Sequence, residues 1–276
     1  MYGTYRLERS LRTHLLQRKV VDSISCTLRV KRSQDEHETM GYATLEFEGT
    51  VTVVTGASGA LGSAAVEAFS EAGGTVCALD VVEPDDDDAQ LEPDERTHFY
   101  QVDLTDESDV EDCFARIIED HGRIDNLLNI AGTWRGGSPI EETPLEEVEL
   151  LLDINLKTAF LASKHALPHL QDSGGAIVSV SARSGLEGGS GDGPYRITKA
   201  GIRILTETLA EENRGTVRAN CVMPSVIDTP MNREMMPDAD HESWVHPSDI
   251  AEVMAFLCTD ASSVTSGAAV PVYGEA

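Results

Sequence analysis

The chain has 276 residues, 41% of them apolar, which suffices for one sizeable core, and no apolar run reaches the roughly 18 residues that cross a bilayer. A net charge of −27 sets the surface against nucleic acid and anionic membranes, so neither is expected as a partner. Five cysteines (Cys26, Cys77, Cys113, Cys221 and Cys258) lie far apart without a C-x-x-C, which argues against a disulfide framework or a metal site. A soluble cytoplasmic protein is the expectation.

The charge is unevenly spread. Residues 1–39 carry eight Lys/Arg against five Asp/Glu, and after them only Lys157, Lys164 and Lys199 remain as lysines. Acidic excess, scarce lysine and 5% aromatics fit a surface adapted to high salt, where repulsion is screened. The basic first 39 residues read as a disordered or loosely helical extension, and Met40, where the acidic composition begins, as the expected natural start.

From residue 49 short β-branched runs alternate with helical patterns. Thr50–Thr55 reads as a buried strand, and Ala60–Ala72 as a helix closed by Gly73 and Gly74. Val76–Asp80 and Thr97–Val102 are the next strands, with Asp85–Asp88 between them a solvated acidic loop. A helix over Glu107–His121 precedes a strand at Asn126–Ile130. A long helix is predicted from about Leu145 to Leu170, with Pro168 as a candidate end. Ala176–Ser181 is a strand, Thr198–Asn213 a helix, and Val217–Val222 a strand. Pro247–Cys258 and Ala269–Val272 complete the pattern as helix and strand. One doubly wound α/β domain of the Rossmann type over residues 40–276 accounts for it, with about seven parallel strands and helices on both faces.

Thr55–Gly62 reads T-G-A-S-G-A-L-G between the first strand and helix. Gly56, Ser58, Ala60, Leu61 and Gly62 are therefore candidate contacts to a dinucleotide pyrophosphate at the helix N-terminus. Asp80 ends the second strand about twenty residues on, where a carboxylate accepts from ribose hydroxyls and repels a 2′-phosphate. NAD is accordingly preferred over NADP. Asp103, in V-D-L-T-D with Leu104, suits either an adenine amino group or a helix cap. Asn129, Ala131 and Gly132 end the fourth strand, where small residues admit the cofactor and the asparagine can brace the backbone.

Tyr195 and Lys199 stand four apart in Y-R-I-T-K, on one helical face. An ammonium beside a phenol favours the phenolate and brings its pKa toward the working range.

These pieces in this order resemble the short-chain dehydrogenase/reductase family across residues 49–274. Asn155 in D-I-N-L and the stretch from Pro224 to Thr229 match as well. The resemblance implies hydride transfer between a nicotinamide and a small substrate carbon, with Tyr195 as acid/base and Lys199 on the nicotinamide ribose. It further implies that Asn155 holds a water linking Lys199 to solvent, and that Pro224 and Thr229 lie beside the nicotinamide. Helices around Leu145–Leu170 and Thr198–Asn213 commonly form subunit faces in that family, so a homodimer or homotetramer is expected.

Three departures stand out. Ala60 replaces the middle glycine of the family turn, and Ser225 replaces the glycine usual after Pro224. Ala182 occupies the slot of the catalytic serine, leaving Ser181 or Ser184 as candidates re-aimed by a bulge. A narrower resemblance, to dihydropteridine reductases, covers Gly59–Gly62, Ala182, A-G-T-W-R-G-G at 131–137, D-T-P-M-N-R at 228–233 and Trp244. It implies reduction of a quinonoid pterin, with Trp134 stacking on a flat heterocycle or serving as a hydrophobic lid. A catalytically silent dinucleotide-binding sensor is the alternative from another class.

Overall fold

The computed structural model describes residues 45–275; the basic extension, Met40 and Cys26 lie outside them. Seven parallel strands form one sheet in the order β3-β2-β1-β4-β5-β6-β7. They are β1 (Val51–Thr55), β2 (Thr75–Asp80), β3 (Thr97–Gln101), β4 (Asn126–Asn129), β5 (Ala176–Val180), β6 (Arg218–Pro224) and β7 (Ala269–Val272). Helices α1 (Ala60–Glu71) and α7 (Pro247–Cys258) cover one face. Helices α2 (Glu107–His121), α4 (Thr158–Ser173) and α5 (Gly193–Glu212) cover the other. Two short helices, α3 (Leu145–Leu151) and α6 (Pro230–Met235), flank the strand ends.

Both sheet faces are buried, which is why the strands are apolar without alternation. Val53, Leu127 and Ile177 face α2, α4 and α5, whereas Val54, Leu128 and Val178 face α1 and α7. Strand order reverses between β1 and β4, so the chain leaves the sheet in opposite directions there and opens a crevice at the strand C-termini.

Local polar devices fix the element ends. The Asp106 carboxylate caps α2 by accepting from the Ser108 and Asp109 N–H groups, and Gly122 closes it at φ +76°. Asp125 accepts from the Val51 N–H at 2.9 Å and pairs with Arg123, tying β1 to β4. Arg218 donates to the carbonyls of Leu257, Cys258 and Thr259 and to Ser262 Oγ, satisfying the C-terminus of α7.

Strand ends shift by one or two residues, and the helices differ from the sequence expectation in three ways. Pro168 does not end its helix, which continues to Ser173. The missing backbone bond costs about 3 kcal/mol, and the buried row of Leu161, Ala166 and Leu170 outweighs it. That segment is also not one continuous α-helix, because Leu152–Lys157 forms a π-helical turn between α3 and α4. Helix α5 begins at Gly193 rather than Thr198, since Pro194 suits a first turn where no N–H partner is needed. Tyr195 therefore sits in that first turn.

Candidate active site

A cleft of about 1300 Å³ opens over the C-terminal ends of β1, β2, β4, β5 and β6. Its walls combine the turn after β1, Asp80, Asp103, Gly132, Tyr195, Lys199 and the segment from Pro224 to Met236.

At the β1–α1 turn the backbone passes too close for side chains. Gly56 has φ +68°, and a Cβ there would lie 2.7 Å from the Ala131 Cα. A Cβ at Gly62 would lie 1.9 Å from the Gly56 carbonyl oxygen. Gly59 meets nothing closer than 3.6 Å, so the turn tolerates a methyl group nearby, and Ala60 opens α1 without distortion. Thr55, at the start of the glycine turn, accepts from the Ile130 and Ala131 N–H groups through its hydroxyl. Its hydroxyl also donates to the Leu128 carbonyl, so the ends of β1 and β4 are held as one wall.

The Asp80 carboxylate is already oriented. One oxygen accepts from the Ser58 N–H at 2.9 Å, and the other from Val81 and Val82. Ser58 is bound in turn: its hydroxyl donates to the Val82 carbonyl, and its own carbonyl accepts from Gln90. The exposed acidic loop thereby folds back to the cleft, where Asp88 and Gln90 join the lining. Asp103 does not cap α2; its carboxylate accepts from Thr105 N–H and Oγ1 in a tight turn, leaving the cap to Asp106. Asp103 and Leu104 both line the cleft.

Asn129 lies outside the cleft lining. Its amide donates to Ser163 and Ser179 hydroxyls from a fully enclosed position, which makes it a brace between β4, β5 and α4. Gly132 is confined by the site itself: a Cβ there would sit 3.1 Å from Asn155 Oδ1 and 3.3 Å from Lys199 Nζ. The Asn155 side chain accepts from the Thr133 N–H at 2.7 Å and donates to the Thr133 carbonyl and to Thr198 Oγ1. Both of its N–H groups are engaged by protein.

Lys199 is 5% exposed, and its ammonium donates to the Val180 carbonyl at 2.9 Å. Burial lowers its pKa to about 8. Its Nζ lies 5.8 Å from the Tyr195 ring centre. A neighbouring ammonium is expected to bring the phenol toward neutrality; instead burial, helped by Asp192, pushes Tyr195 up to about 12. In the free protein the phenol is thus the resting form.

Ser181 is buried, and its hydroxyl donates to the Lys199 carbonyl at 2.7 Å, so strand alternation turns it onto α5. Ala182, extended at φ −158°, lines the cleft with a methyl group. Ser184 also lines it, one turn beyond the strand end. Ser225 is accommodated because its hydroxyl reaches the Tyr273 carbonyl and its N–H the Val272 carbonyl. Pro224 and Thr229 flank the same wall, and the Thr229 hydroxyl caps α6. Trp134 stands partly exposed in the cleft lining, as do Met231, Met235 and Met236. Met235 and Met236 belong to the stretch from Asn232 to Trp244, whose sequence suggests a cover for the pocket, whereas Arg183, next to Ala182, and Arg196, next to Tyr195, carry no sequence sign of lining it. Arg196 is paired with Asp192 and donates to the Ser184 and Glu187 carbonyls, so it shapes the loop beneath Tyr195.

A dinucleotide fits these walls. The glycine-rich turn admits a pyrophosphate, Asp80 offers an acceptor for a ribose, and Gly132 leaves space beside Lys199. No group of three or more His, Cys, Asp or Glu among the described residues is arranged for a metal ion.

Residues 56–274 match the protein family described as enoyl-(acyl carrier protein) reductase. A meso-2,3-butanediol dehydrogenase from Serratia marcescens is 34% identical over 242 residues, covering 84% of this chain and 96% of the relative. A 3-oxoacyl-(acyl-carrier-protein) reductase from Thermotoga maritima is 30% identical, covering 83% of this chain and 98% of the relative. The crystal structure of a short-chain dehydrogenase/reductase (glucose/ribitol dehydrogenase) from Brucella melitensis superimposes with a TM-score of 0.76 at 30% identity, covering 83% of this chain and 97% of that one. The chain belongs to the short-chain dehydrogenase/reductase family and is an NAD(P)-dependent oxidoreductase.

Proposed function

We propose that the protein interconverts a small secondary alcohol and its ketone, with Tyr195 as the proton donor and acceptor and NAD as the preferred cofactor. The observation that carries the reading is the convergence of Tyr195 and buried Lys199 on the cleft wall beside Gly132. The bound nicotinamide supplies or takes the hydride. The chain's own part is to hold the substrate oxygen at the Tyr195 hydroxyl and to move the proton there. A phenol raised to about 12 rests protonated near neutrality, the form that donates to a carbonyl oxygen.

Ala182 leaves that oxygen one hydroxyl fewer than a serine would provide. Trp134, Ile227 and the three methionines give the far wall an apolar character, consistent with compact substrates of the kind named for the butanediol relative. The NAD preference rests on Asp80 and on its cleft neighbours Val81, Val82, Asp88 and Gln90, which carry no positive charge. We further propose assembly as a homodimer or homotetramer, supported by Ile197 and Ile204 on one side of α5 and Phe160 on α4, all at least half exposed.

Tyr195→Phe tests the chemistry. NADH-driven reduction of acetoin and cyclic ketones should fall by about three orders of magnitude, while NADH binding followed by fluorescence is retained. Turnover within tenfold of the unsubstituted enzyme would overturn the assignment.

A further inference from the structure

We propose that Thr198 is a positioning residue for Tyr195, joining the catalytic helix to the cleft wall at Gly132 and Thr133. The proposal rests on Tyr195 being the acid/base, and its own test leaves that residue untouched.

Thr198 precedes Lys199 and follows Tyr195 by three positions, yet it points neither at the cleft nor at solvent; it is 1% exposed. A threonine hydroxyl has one donor and two acceptor sites. The donor goes to the Tyr195 carbonyl at 2.8 Å, within the first turn of α5. An acceptor site takes the Asn155 Nδ2–H at 3.1 Å, from the π-helical turn before α4. The same Asn155 amide clamps both backbone groups of Thr133, at 2.7 and 3.0 Å, one residue past Gly132. Three segments distant in sequence are thus linked through one hydroxyl and one amide: the segment after β4, the π-helical turn and the turn that carries Tyr195.

The geometry has little slack. Gly132 lies so near that a methyl group there would be 3.1 Å from Asn155 Oδ1 and 3.3 Å from Lys199 Nζ. Without the Thr198 hydroxyl, the Asn155 N–H is left buried and without an acceptor, a loss that drives the amide to rotate. Rotation releases Thr133, and the wall then shifts relative to Tyr195. A threonine that bonds back to its own helix also bends it slightly, so the hydroxyl bears on the direction in which Tyr195 enters the cleft.

Thr198→Val keeps the shape and β-branching and removes only the hydroxyl. The expected result is a fall in kcat of about 10- to 100-fold, as for a catalytic group misplaced by about 1 Å. NADH affinity should stay within about twofold, and the pH at which ketone reduction declines should move. Thr198→Ser restores the hydroxyl and should restore kcat to within about threefold and the pH profile with it. A Thr198→Val enzyme with kcat within twofold and an unmoved pH profile overturns the proposal. So do equal losses in the valine and serine variants, since packing alone would then be at issue. If the valine variant does not fold, Thr198→Ala carries the same comparison against Thr198→Ser. Loss of activity in Tyr195→Phe together with an inert Thr198→Val would refute the positioning role and leave the acid/base reading standing.

Discussion

Replacing Lys199 by methionine should separate the stability of this site from its activity, and pH is the variable that exposes it. The side chain is buried, and its pKa falls from 10.5 to about 8, which corresponds to roughly 3 kcal/mol of proton-binding free energy. Between those two pH values the unfolded chain holds more protons at this position than the folded one, so stability rises with pH across that window. Below about pH 8 the folded protein carries the whole penalty of a desolvated ammonium. Lys199→Met has no such term. It loses the bond to the Val180 carbonyl, a cost of about 1–3 kcal/mol that does not vary with pH. Urea melts of both proteins from about pH 7 to about pH 10 should therefore show the unsubstituted chain gaining on the variant by roughly 3 kcal/mol. Tyr195 is raised by burial and Asp192, so it titrates alike in both proteins and drops out of the comparison. A difference that stays flat within about 0.5 kcal/mol would show that Lys199 keeps its ordinary proton affinity when folded, and the reasoning would fail.

Gly62→Ala should weaken NADH binding by about tenfold or more, because its methyl group would fall 1.9 Å from the Gly56 carbonyl oxygen. Gly59→Ala, with 3.6 Å of clearance, should bind within about twofold, and equal effects in fluorescence titrations would refute the close-approach argument. Arg218→Met removes four hydrogen bonds to the end of α7 and its following turn, and should lower stability by about 2–4 kcal/mol in urea melts; a loss under about 0.5 kcal/mol would contradict it. Ser181→Ala should cost about 1 kcal/mol of stability with kcat unchanged, whereas Ala182→Ser should raise ketone reduction by about tenfold or more. The reverse pattern in steady-state assays would place the working hydroxyl at Ser181.

Features written in contiguous sequence were the legible ones. The glycine turn, Asp80 and the Tyr195–Lys199 pair each lie within one element or at its end, where spacing alone sets a shared face or a close approach. Helix α2 was readable to the residue because both its ends carry local chemistry, the run of acids at Asp106 and the glycine at 122. What spacing could not show depends on contacts between distant segments. Asn129 faces the interior because Ser163 and Ser179 surround its amide, and neither serine is near it in the chain. The fate of the Ser181 hydroxyl was decided by α5 lying across the strand end. Tyr195 shows the limit most clearly: pairing with an ammonium predicts a lowered pKa, but burial of both groups wins, and only the folded protein reveals how deep they lie. Pro168 misled because a local stop signal was overridden by the buried row on either side of it.

Asp80 illustrates how recognition and architecture become inseparable in one side chain. A carboxylate offers about four lone-pair positions, and three of them already receive the backbone N–H groups of Ser58, Val81 and Val82. An asparagine at this position would present one accepting oxygen and turn an NH₂ group toward at least one of those donors. Any attempt to retune the cofactor by exchanging Asp80 alone would thus unpin the start of the loop between β2 and β3 before it altered selectivity. A successful redesign has to supply a new acceptor for those amides first, so a switch of preference at this site is a change of two or more residues from the outset.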